Sequence, residues 1–194
     1  TLATGDVSGD GHDDVVALWR EGTQRIVEVV VDFGLAGGER GNWDTWALRT
    51  LDTGGWGAES VAAGDVSGDG RPDVVVTVGG NRPTSAVLVL QRDPAGQFLP
   101  QQRLPSHDIP EPVAVADLSG DGRGDVVTAH GGWSRVGVYR QGGVGGIGPE
   151  ELYPVPYASH YSPRALAVGD ISGDGRLDVL LADYNHGLVL LAGA

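Results

Sequence analysis

The chain contains four copies of a short acidic segment whose side chains suit the binding of a hard metal ion. Each copy reads Asp-x-Ser-x-Asp-Gly-x-x-Asp, so three carboxylates and one hydroxyl fall within nine residues. Two unit charges about 4 Å apart repel by roughly 4 kcal/mol at an effective dielectric near 20, so each cluster needs a counter-charge. Positions 1, 3, 5 and 9 are Asp6, Ser8, Asp10 and Asp14 in the first segment; Asp65, Ser67, Asp69 and Asp73 in the second; Asp117, Ser119, Asp121 and Asp125 in the third; and Asp170, Ser172, Asp174 and Asp178 in the fourth.

Calcium is the ion that this set of oxygen atoms fits best. It takes about six to eight oxygen ligands in a flexible shell, whereas magnesium requires near-octahedral geometry and retains its waters. The glycine at position 6 permits the sharp reversal that lets the oxygens converge. We predict about four calcium ions, one for each segment, with a structural role, because a filled oxygen shell leaves no open position for a substrate. The backbone carbonyl at position 7 would add a ligand in each segment, from His12, Arg71, Arg123 and Arg176.

Short β-strands are predicted on both sides of each acidic segment. The segments recur at intervals of about 50 to 60 residues, a period typical of propellers and other repeat arrays. In the second repeat, four successive stretches have the character of strands: SVAAGD, DVVVTVGG, SAVLVLQRD and the more polar GQFLPQQRLP. We therefore predict an all-β fold of propeller blades, each with four antiparallel strands whose inner members are buried between neighbouring blades.

The repeats divide the chain into about four blades within a single β-propeller segment, residues 1–194. We place the blades at approximately residues 1–56, 57–108, 109–161 and 162–194. Only TLATG precedes the first acidic segment and no fourth strand follows GLVLLAGA, so we expect two complete blades between two clipped ones. The favoured arrangement is an arc of a larger ring, completed by further sequence or by self-association with another copy of the chain. A compact four-blade ring is the alternative.

The acidic segments differ from the EF-hand calcium loop. That loop requires a glutamate at its twelfth position and a helix on each side, whereas strands flank these segments and the twelfth position holds Ala17, Val76, Thr128 or Leu181. All four copies instead resemble the calcium loops of FG-GAP repeats, also called VCBS-type repeats, found in the integrin α-subunit propeller and in many secreted bacterial proteins and lectins. The resemblance covers essentially the whole chain and implies calcium binding, an extracellular location and a binding or scaffolding role. Serine at position 3, where the family more often has Asp or Asn, implies a modest affinity.

The composition excludes several classes of function. The net charge of −13 disfavours nucleic acid and anionic membranes as partners. The absence of cysteine excludes disulfides, zinc–thiolate sites and cysteine nucleophiles. No apolar run reaches the roughly 18 residues that a membrane-spanning helix needs. The chain starts at Thr1 without a leader pattern, so we expect a mature or excised piece of a protein.

Aromatic and polar residues are expected to collect on the face opposite the acidic segments. The acidic segment joins the first two strands of a blade at one end, so the loops between the second and third strands and the connections between blades meet at the other end. Such a surface could bind carbohydrate or protein. Residues predicted for this ligand face are His107, Asp108, His130, Trp133, Tyr157, His160, Tyr161, Tyr184 and His186. Three further tryptophans, Trp43, Trp46 and Trp56, are expected to pack outer strands or blade junctions.

Two functions follow from these observations. The first is a secreted, calcium-stabilised binding or scaffolding module for carbohydrate or protein, without catalytic activity of its own. The second is a non-catalytic or partial segment of a secreted carbohydrate-active enzyme, such as a polysaccharide lyase or hydrolase. The chain has no H-E-x-x-H or G-x-S-x-G motif. A tight cluster of acid and base side chains in a cleft would favour the enzyme.

Overall fold

The computed structural model describes residues 1–20, 27–32, 46–95, 97–143, 146–156 and 163–193, and these residues contain strands, turns and bends but no helix. The strands are β1 (Leu2–Gly5), β2 (Asp14–Arg20), β3 (Val27–Asp32), β4 (Trp46–Leu51), β5 (Ala58–Gly64), β6 (Asp73–Val78), β7 (Ala86–Leu90), β8 (Gln102–Pro105), β9 (Pro110–Ala116), β10 (Asp125–His130), β11 (Arg135–Gln141), β12 (Ile147–Pro154), β13 (Pro163–Gly169), β14 (Asp178–Asp183) and β15 (Gly187–Leu191).

The strands form four separate antiparallel sheets, and each sheet is one propeller blade. In chain order the sheets are β1–β4, β5–β8, β9–β12 and β13–β15, and within each sheet consecutive strands are hydrogen-bonded neighbours. The all-β propeller fold predicted from the sequence is therefore confirmed. The first blade has all four strands, but β1 has 4 residues where β5, β9 and β13 each have 7, and the last blade has three strands in the described residues.

Alternating faces of the inner strands pack against the two neighbouring blades. Along β6, Val74, Val76 and Val78 belong to the core shared with the first blade, whereas Val75 belongs to the core shared with the third. Successive side chains of a strand point to opposite faces, so a strand buried on both sides needs an uninterrupted apolar run, which DVVVTV supplies. The outer strands β8 and β12 alternate buried or half-buried residues with exposed ones.

Two close contacts bring the inner strands of the second and third blades together. At Gly64 a Cβ atom would lie 2.5 Å from Val115 Cγ1, so only glycine permits this approach of β5 to β9. The hydroxyl of Thr77, which is fully buried, accepts a hydrogen bond from the Ser60 N–H (3.1 Å) and donates one to the Glu111 carbonyl (2.7 Å). The hydroxyl thereby joins the backbones of two blades.

The antiparallel strand order separates the loops into two faces. The acidic loops connect the first and second strands of each blade, and we call their side the acidic-loop face. The loops after β6, β10 and β14 and the connections between blades lie at the other strand ends, which we call the opposite face. The described residues contain no helix long and apolar enough to cross a membrane.

Candidate functional site

The aspartate at position 1 of each acidic loop is held by backbone amides. Asp6 accepts hydrogen bonds from the N–H groups of Gly9 (2.7 Å) and Asp10 (2.9 Å) on one oxygen and from Gly11 (2.8 Å) on the other. The fourth loop repeats all three of these hydrogen bonds, and the second and third loops each repeat two of them. Burial alone would raise the pKa of Asp6, but the three amides and the Ser8 hydroxyl outweigh it and lower the pKa.

The aspartate at position 9 is the buried member of each loop. Its carboxylate accepts the N–H of the serine at position 3, at 2.6 to 3.1 Å in the four loops, and is almost fully buried in each. In the last two blades its other oxygen accepts an N–H from the far side of the blade: Gln141 bonds to Asp125 (2.9 Å) and Gly193 to Asp178 (2.8 Å). This residue therefore ties the loop to the blade.

The second loop shows the electrostatic cost of crowding three carboxylates. Burial, together with the charges of Asp69 and Asp65, raises the pKa of Asp73 to about 6, against the opposing effect of hydrogen bonds from Ser67 and the Val66 N–H. Like charges are therefore close enough to disfavour one another, as the sequence predicts.

Arginine at position 7 provides part of the counter-charge in two loops. The Arg71 guanidinium lies 2.7 Å from an oxygen of Asp69, and Arg123 makes the same contact with Asp121. The side chains of these pairs are about one third exposed, so solvent weakens the attraction. From the sequence, position 7 was predicted to contribute only its backbone carbonyl, so the contact between the arginine side chain and the aspartate at position 5 was not predicted.

The donor types suit calcium, but the side chains are not gathered around one point. Among the residues that the structure describes, no group of three or more carboxylate or histidine side chains has the arrangement of a metal centre. The carboxylates instead point to backbone amides and, in two loops, to arginine. Calcium at these loops remains a prediction, and the oxygen-rich set of ligands is the feature that fits it.

On the opposite face, His107, His130 and Trp133 lie together, although their exposures differ. The ring of His107 makes edge contacts with those of His130 and Trp133, with ring centroids 5.2 Å apart in both pairs. Trp133 is 47% exposed, whereas His130 is fully buried and cannot touch a ligand directly. Burial lowers the pKa of His107, and His130 and Arg82 lower it further.

Glu150 holds this cluster together and was missed by sequence reasoning. One oxygen lies 2.9 Å from His130 Nε2 and accepts the Ser106 hydroxyl (3.2 Å), and the other accepts the His107 N–H (2.6 Å). The second nitrogen of His130 lies 3.1 Å from the Asp108 carbonyl, so both ring nitrogens face oxygen atoms. Burial alone would raise the pKa of Glu150, but the His130 and His107 contacts outweigh it and lower the pKa. In the sequence, Glu150 cannot be distinguished from Glu151; only the strand register turns one inward.

The remaining ligand-face candidates are dispersed. Asp108 is buried and accepts hydrogen bonds from the Arg82 N–H (2.7 Å) and guanidinium (3.0 Å), which lower its pKa. In the last blade, Tyr184 is 73% exposed, and His186 Nδ1 lies 2.9 Å from an Asp183 oxygen. The other three candidates, Tyr157, His160 and Tyr161, lie outside the described residues.

Two cavities lie between the second and third blades. The larger, about 620 Å³, separates the outer strands and has a largely apolar lining that includes Leu104, Pro105, Tyr139 and Leu152. The smaller, about 360 Å³, opens on the opposite face near the inner strands, and Trp56 forms part of its wall. Trp56, which was expected to pack an outer strand or a blade junction, lies at the junction of these two blades and is 47% exposed.

Comparison with known protein families accounts for the repeats. The model of the FG-GAP-like repeat matches residues 6–76, 68–128 and 117–181, which together span most of the chain. The chain belongs to the FG-GAP-like repeat family. The family predicted from the acidic loops is thus confirmed, and no curated protein matches the chain.

Solved structures with similar folds agree with the assignment of this FG-GAP-like chain to propeller blades. A lectin of Agrocybe aegerita, described as specifically recognising non-reducing terminal N-acetylglucosamine, matches all of this chain at 20% identity with a TM-score of 0.59. The Tc holotoxin pore of Photorhabdus luminescens matches 97% of it at 18% identity with a TM-score of 0.53. The chain spans 48% of the lectin chain and 9% of the toxin chain.

Proposed function

We propose that this chain is a segment of a calcium-stabilised, extracellular β-propeller that binds carbohydrate through its opposite face. The observation that carries the proposal is Trp56 on that face, which is 47% exposed and lies beside the polar loop that contains Asn81. Tryptophan combines a flat apolar ring with a polar N–H and is enriched at binding interfaces, and its ring suits the apolar face of a sugar. The fold of the Agrocybe aegerita lectin supports this choice of ligand over protein.

Calcium would supply charge neutralisation at the acidic loops. The residues that would hold it are those at positions 1, 3, 5 and 9, with the carbonyl at position 7. The buried aspartate at position 9 already ties each loop to its blade, so an ion there would stabilise the junction of the first two strands. Extracellular modules of this kind bind calcium at about 10⁻⁴ to 10⁻³ M, which suits an extracellular setting.

The acid and base cluster around Glu150 supports a structural role rather than catalysis. Its carboxylate receives three donors from two blades, and His130 is fully buried with both nitrogens engaged. His130 has no ring nitrogen left for a substrate, and Glu150 is already committed to three donors in this arrangement. We therefore favour the binding module over a segment of a carbohydrate-active enzyme.

An array of glycans probed with the intact chain, run beside an activity screen on the same glycans, tests the proposed binding function. Binding without turnover is expected. Turnover of a bound glycan by the chain alone would refute the non-enzymatic proposal, and the absence of binding to any glycan would refute carbohydrate as the ligand.

The calcium proposal is tested by thermal unfolding in millimolar calcium, in millimolar magnesium and in EDTA. Because an ion that binds only the folded state stabilises it by mass action, the melting temperature should rise with calcium and much less with magnesium. Asp69→Asn should reduce the calcium-dependent rise by removing one carboxylate from one loop. An unchanged melting temperature on adding calcium or EDTA would refute structural calcium.

A further inference from the structure

We infer that the smaller cavity between the second and third blades is a binding site for one neutral sugar residue, which stacks on Trp56 and donates its hydroxyls to Glu59 and Glu111. The cavity has a volume of about 360 Å³, at the small end of the range of roughly 300 to 1,000 Å³ for ligand pockets. This inference rests on the proposed carbohydrate-binding function and adds the location of the site and the class of sugar. None of the residues predicted from the sequence for the ligand face lines this cavity.

Trp56 provides a supported platform with one open side. A Cβ atom at Gly80 would lie 2.6 to 2.9 Å from three atoms of the indole ring, so the ring lies directly against the Gly80 backbone. Gly80 has a φ of 92°, a left-handed conformation that favours glycine. Since one side of the ring is covered by backbone and 47% of the residue is exposed, the other side is available for stacking.

The platform is held in place by the chain entering the third blade. The Ile109 N–H donates to the Gly80 carbonyl at 2.7 Å, and Ile109 itself has a φ of 55°. A β-branched residue in the left-handed region is strained, and such strain concentrates at ligand-binding and catalytic sites. The Asn81 carbonyl accepts the Thr84 N–H (3.0 Å) and hydroxyl (2.7 Å), which fixes the loop on the far side of the platform.

Two glutamates lie against glycine backbones at the cavity wall. A Cβ atom at Gly79 would come within 2.7 Å of Glu59 Oε1, and one at Gly131 within 2.8 Å of Glu111 Oε2. The glutamates occupy equivalent positions at the starts of β5 and β9, so one cavity receives a carboxylate from each blade. Carboxylate oxygens accept hydrogen bonds only, and sugar hydroxyls are the matching donors.

The charge of the lining selects the class of sugar. The cavity is lined by two glutamates and Asn81, and no Lys, Arg or His is among its described lining residues. A uronate, sulfate or other anionic group would meet two carboxylates without a cation to pair with, which is costly. A neutral sugar meets acceptors for its hydroxyls and a flat apolar surface for its ring.

The experiment uses the intact chain on an array that pairs neutral glycans with their uronate- or sulfate-bearing counterparts. Neutral glycans should bind and their anionic counterparts should not. The strongest free glycan from the array is then titrated calorimetrically against the wild type and the variants Trp56→Ala, Trp56→Phe and Glu59→Gln. Because buried aromatic anchors dominate binding energies, Trp56→Ala should weaken binding at least about tenfold, Trp56→Phe less, and Glu59→Gln by several-fold.

Matched controls separate this site from the rest of the face. Trp133→Ala removes a tryptophan of equal exposure on the same face but outside the cavity, and Glu151→Gln removes an exposed carboxylate from an outer strand. Both should leave affinity within about twofold of wild type, a change well below the tenfold that corresponds to 1.4 kcal/mol. Melting temperatures of all variants verify folding, and Trp56→Phe retains an aromatic ring against Gly80 if Trp56→Ala proves unstable.

The outcomes distinguish this inference from the proposed function beneath it. If no glycan binds the wild type, the proposed function fails and the site fails with it. If glycans bind but Trp56 and Glu59 variants bind equally well, or the loss follows Trp133, this site is wrong while the proposed function stands. A preference for anionic glycans, or for a cationic ligand such as lysine over every neutral sugar, would also overturn the inference.

Discussion

Replacing Glu150 by glutamine should destabilise the junction of the second and third blades. The Glu150 side chain is 10% exposed and accepts hydrogen bonds from His130 at 2.9 Å, from the His107 N–H at 2.6 Å and from Ser106 at 3.2 Å. Glutamine has the same shape but only one acceptor oxygen, and its amide group would face another donor. The variant therefore removes charge and one acceptor without creating a cavity.

The expected loss of stability follows from these contacts. Hydrogen bonds to a charged group contribute about 1.5 to 3 kcal/mol each, and leaving a buried donor unsatisfied costs about 1 to 3 kcal/mol. In the variant, the amide oxygen would keep one of the three donors, and the hydrogen bonds from the other two would be weakened or lost. We therefore expect the free energy of unfolding to fall by about 3 kcal/mol. For a chain of this length, 1 kcal/mol corresponds to about 2 to 4 °C, so the melting temperature should fall by about 6 to 12 °C.

Urea unfolding at neutral pH measures this difference, and Glu151→Gln is the matched control. Glu151 is adjacent on the same strand but faces solvent at 47% side-chain exposure, with Arg140 at 3.3 Å. An exposed pair of this kind contributes about 0 to 1 kcal/mol. If Glu150→Gln lies within 0.5 kcal/mol of the control, about the scatter of a neutral surface substitution, the cluster does not stabilise the fold.

The difference in stability between the wild type and Glu150→Gln should also depend on pH, and the direction of this dependence can be predicted. The contacts lower the pKa of Glu150 in the folded state, so its stabilising effect is fully present above the unfolded value of 4.5 and is lost as the pH falls through the folded value. The difference in unfolding free energy between wild type and Glu150→Gln should therefore shrink on acidification below pH 4.5. A difference that grows on acidification would contradict the assignment of Glu150 as an ionised acceptor.

Three further substitutions test the packing between blades. Gly64→Ala should cost about 1 to 3 kcal/mol in urea unfolding because its Cβ would meet Val115, and Val115→Ala in the same chain should recover part of the loss; additive effects would contradict that contact. Tyr139→Phe removes the hydroxyl that donates to the Pro105 carbonyl at 3.0 Å and should lower the free energy of unfolding by about 1 kcal/mol. An unchanged free energy of unfolding would show that this hydrogen bond does not stabilise the fold. Thr77→Val removes the hydroxyl that bonds to both the Ser60 N–H and the Glu111 carbonyl, and it should lower the free energy of unfolding by about 2 kcal/mol in thermal unfolding. A variant more stable than the wild type would refute a stabilising role for these two hydrogen bonds.

The fold was predictable because its signals are local and repeated. The acidic loops mark the turn between the first two strands of every blade, and the apolar runs after them leave no alternative to buried strands. The position-9 aspartates illustrate this repetition, because each accepts a hydrogen bond from the N–H of the serine at position 3 in all four copies.

The opposite face was harder to predict because it is assembled from segments far apart in the sequence. His107 and His130 were predicted for a ligand face and their rings lie 5.2 Å apart, but sequence alone does not show that His130 is fully buried. Trp56 was assigned to packing because nothing adjacent to it indicates a cavity. The residues that create the cavity around it, Gly80 and Glu111, come from a later loop and from the next blade.

The sequence by itself determined the family, the number of repeats and the strand order within a blade, since each depends on residues within about fifty positions of one another. Only the tertiary structure decided which of Glu150 and Glu151 points inward and that Trp56 has an open side, because both depend on strand register and on the distance between neighbouring blades. A one-residue shift of β12 would exchange the two glutamates while changing nothing in the sequence pattern. The function proposed for the opposite face therefore depends on how the blades meet.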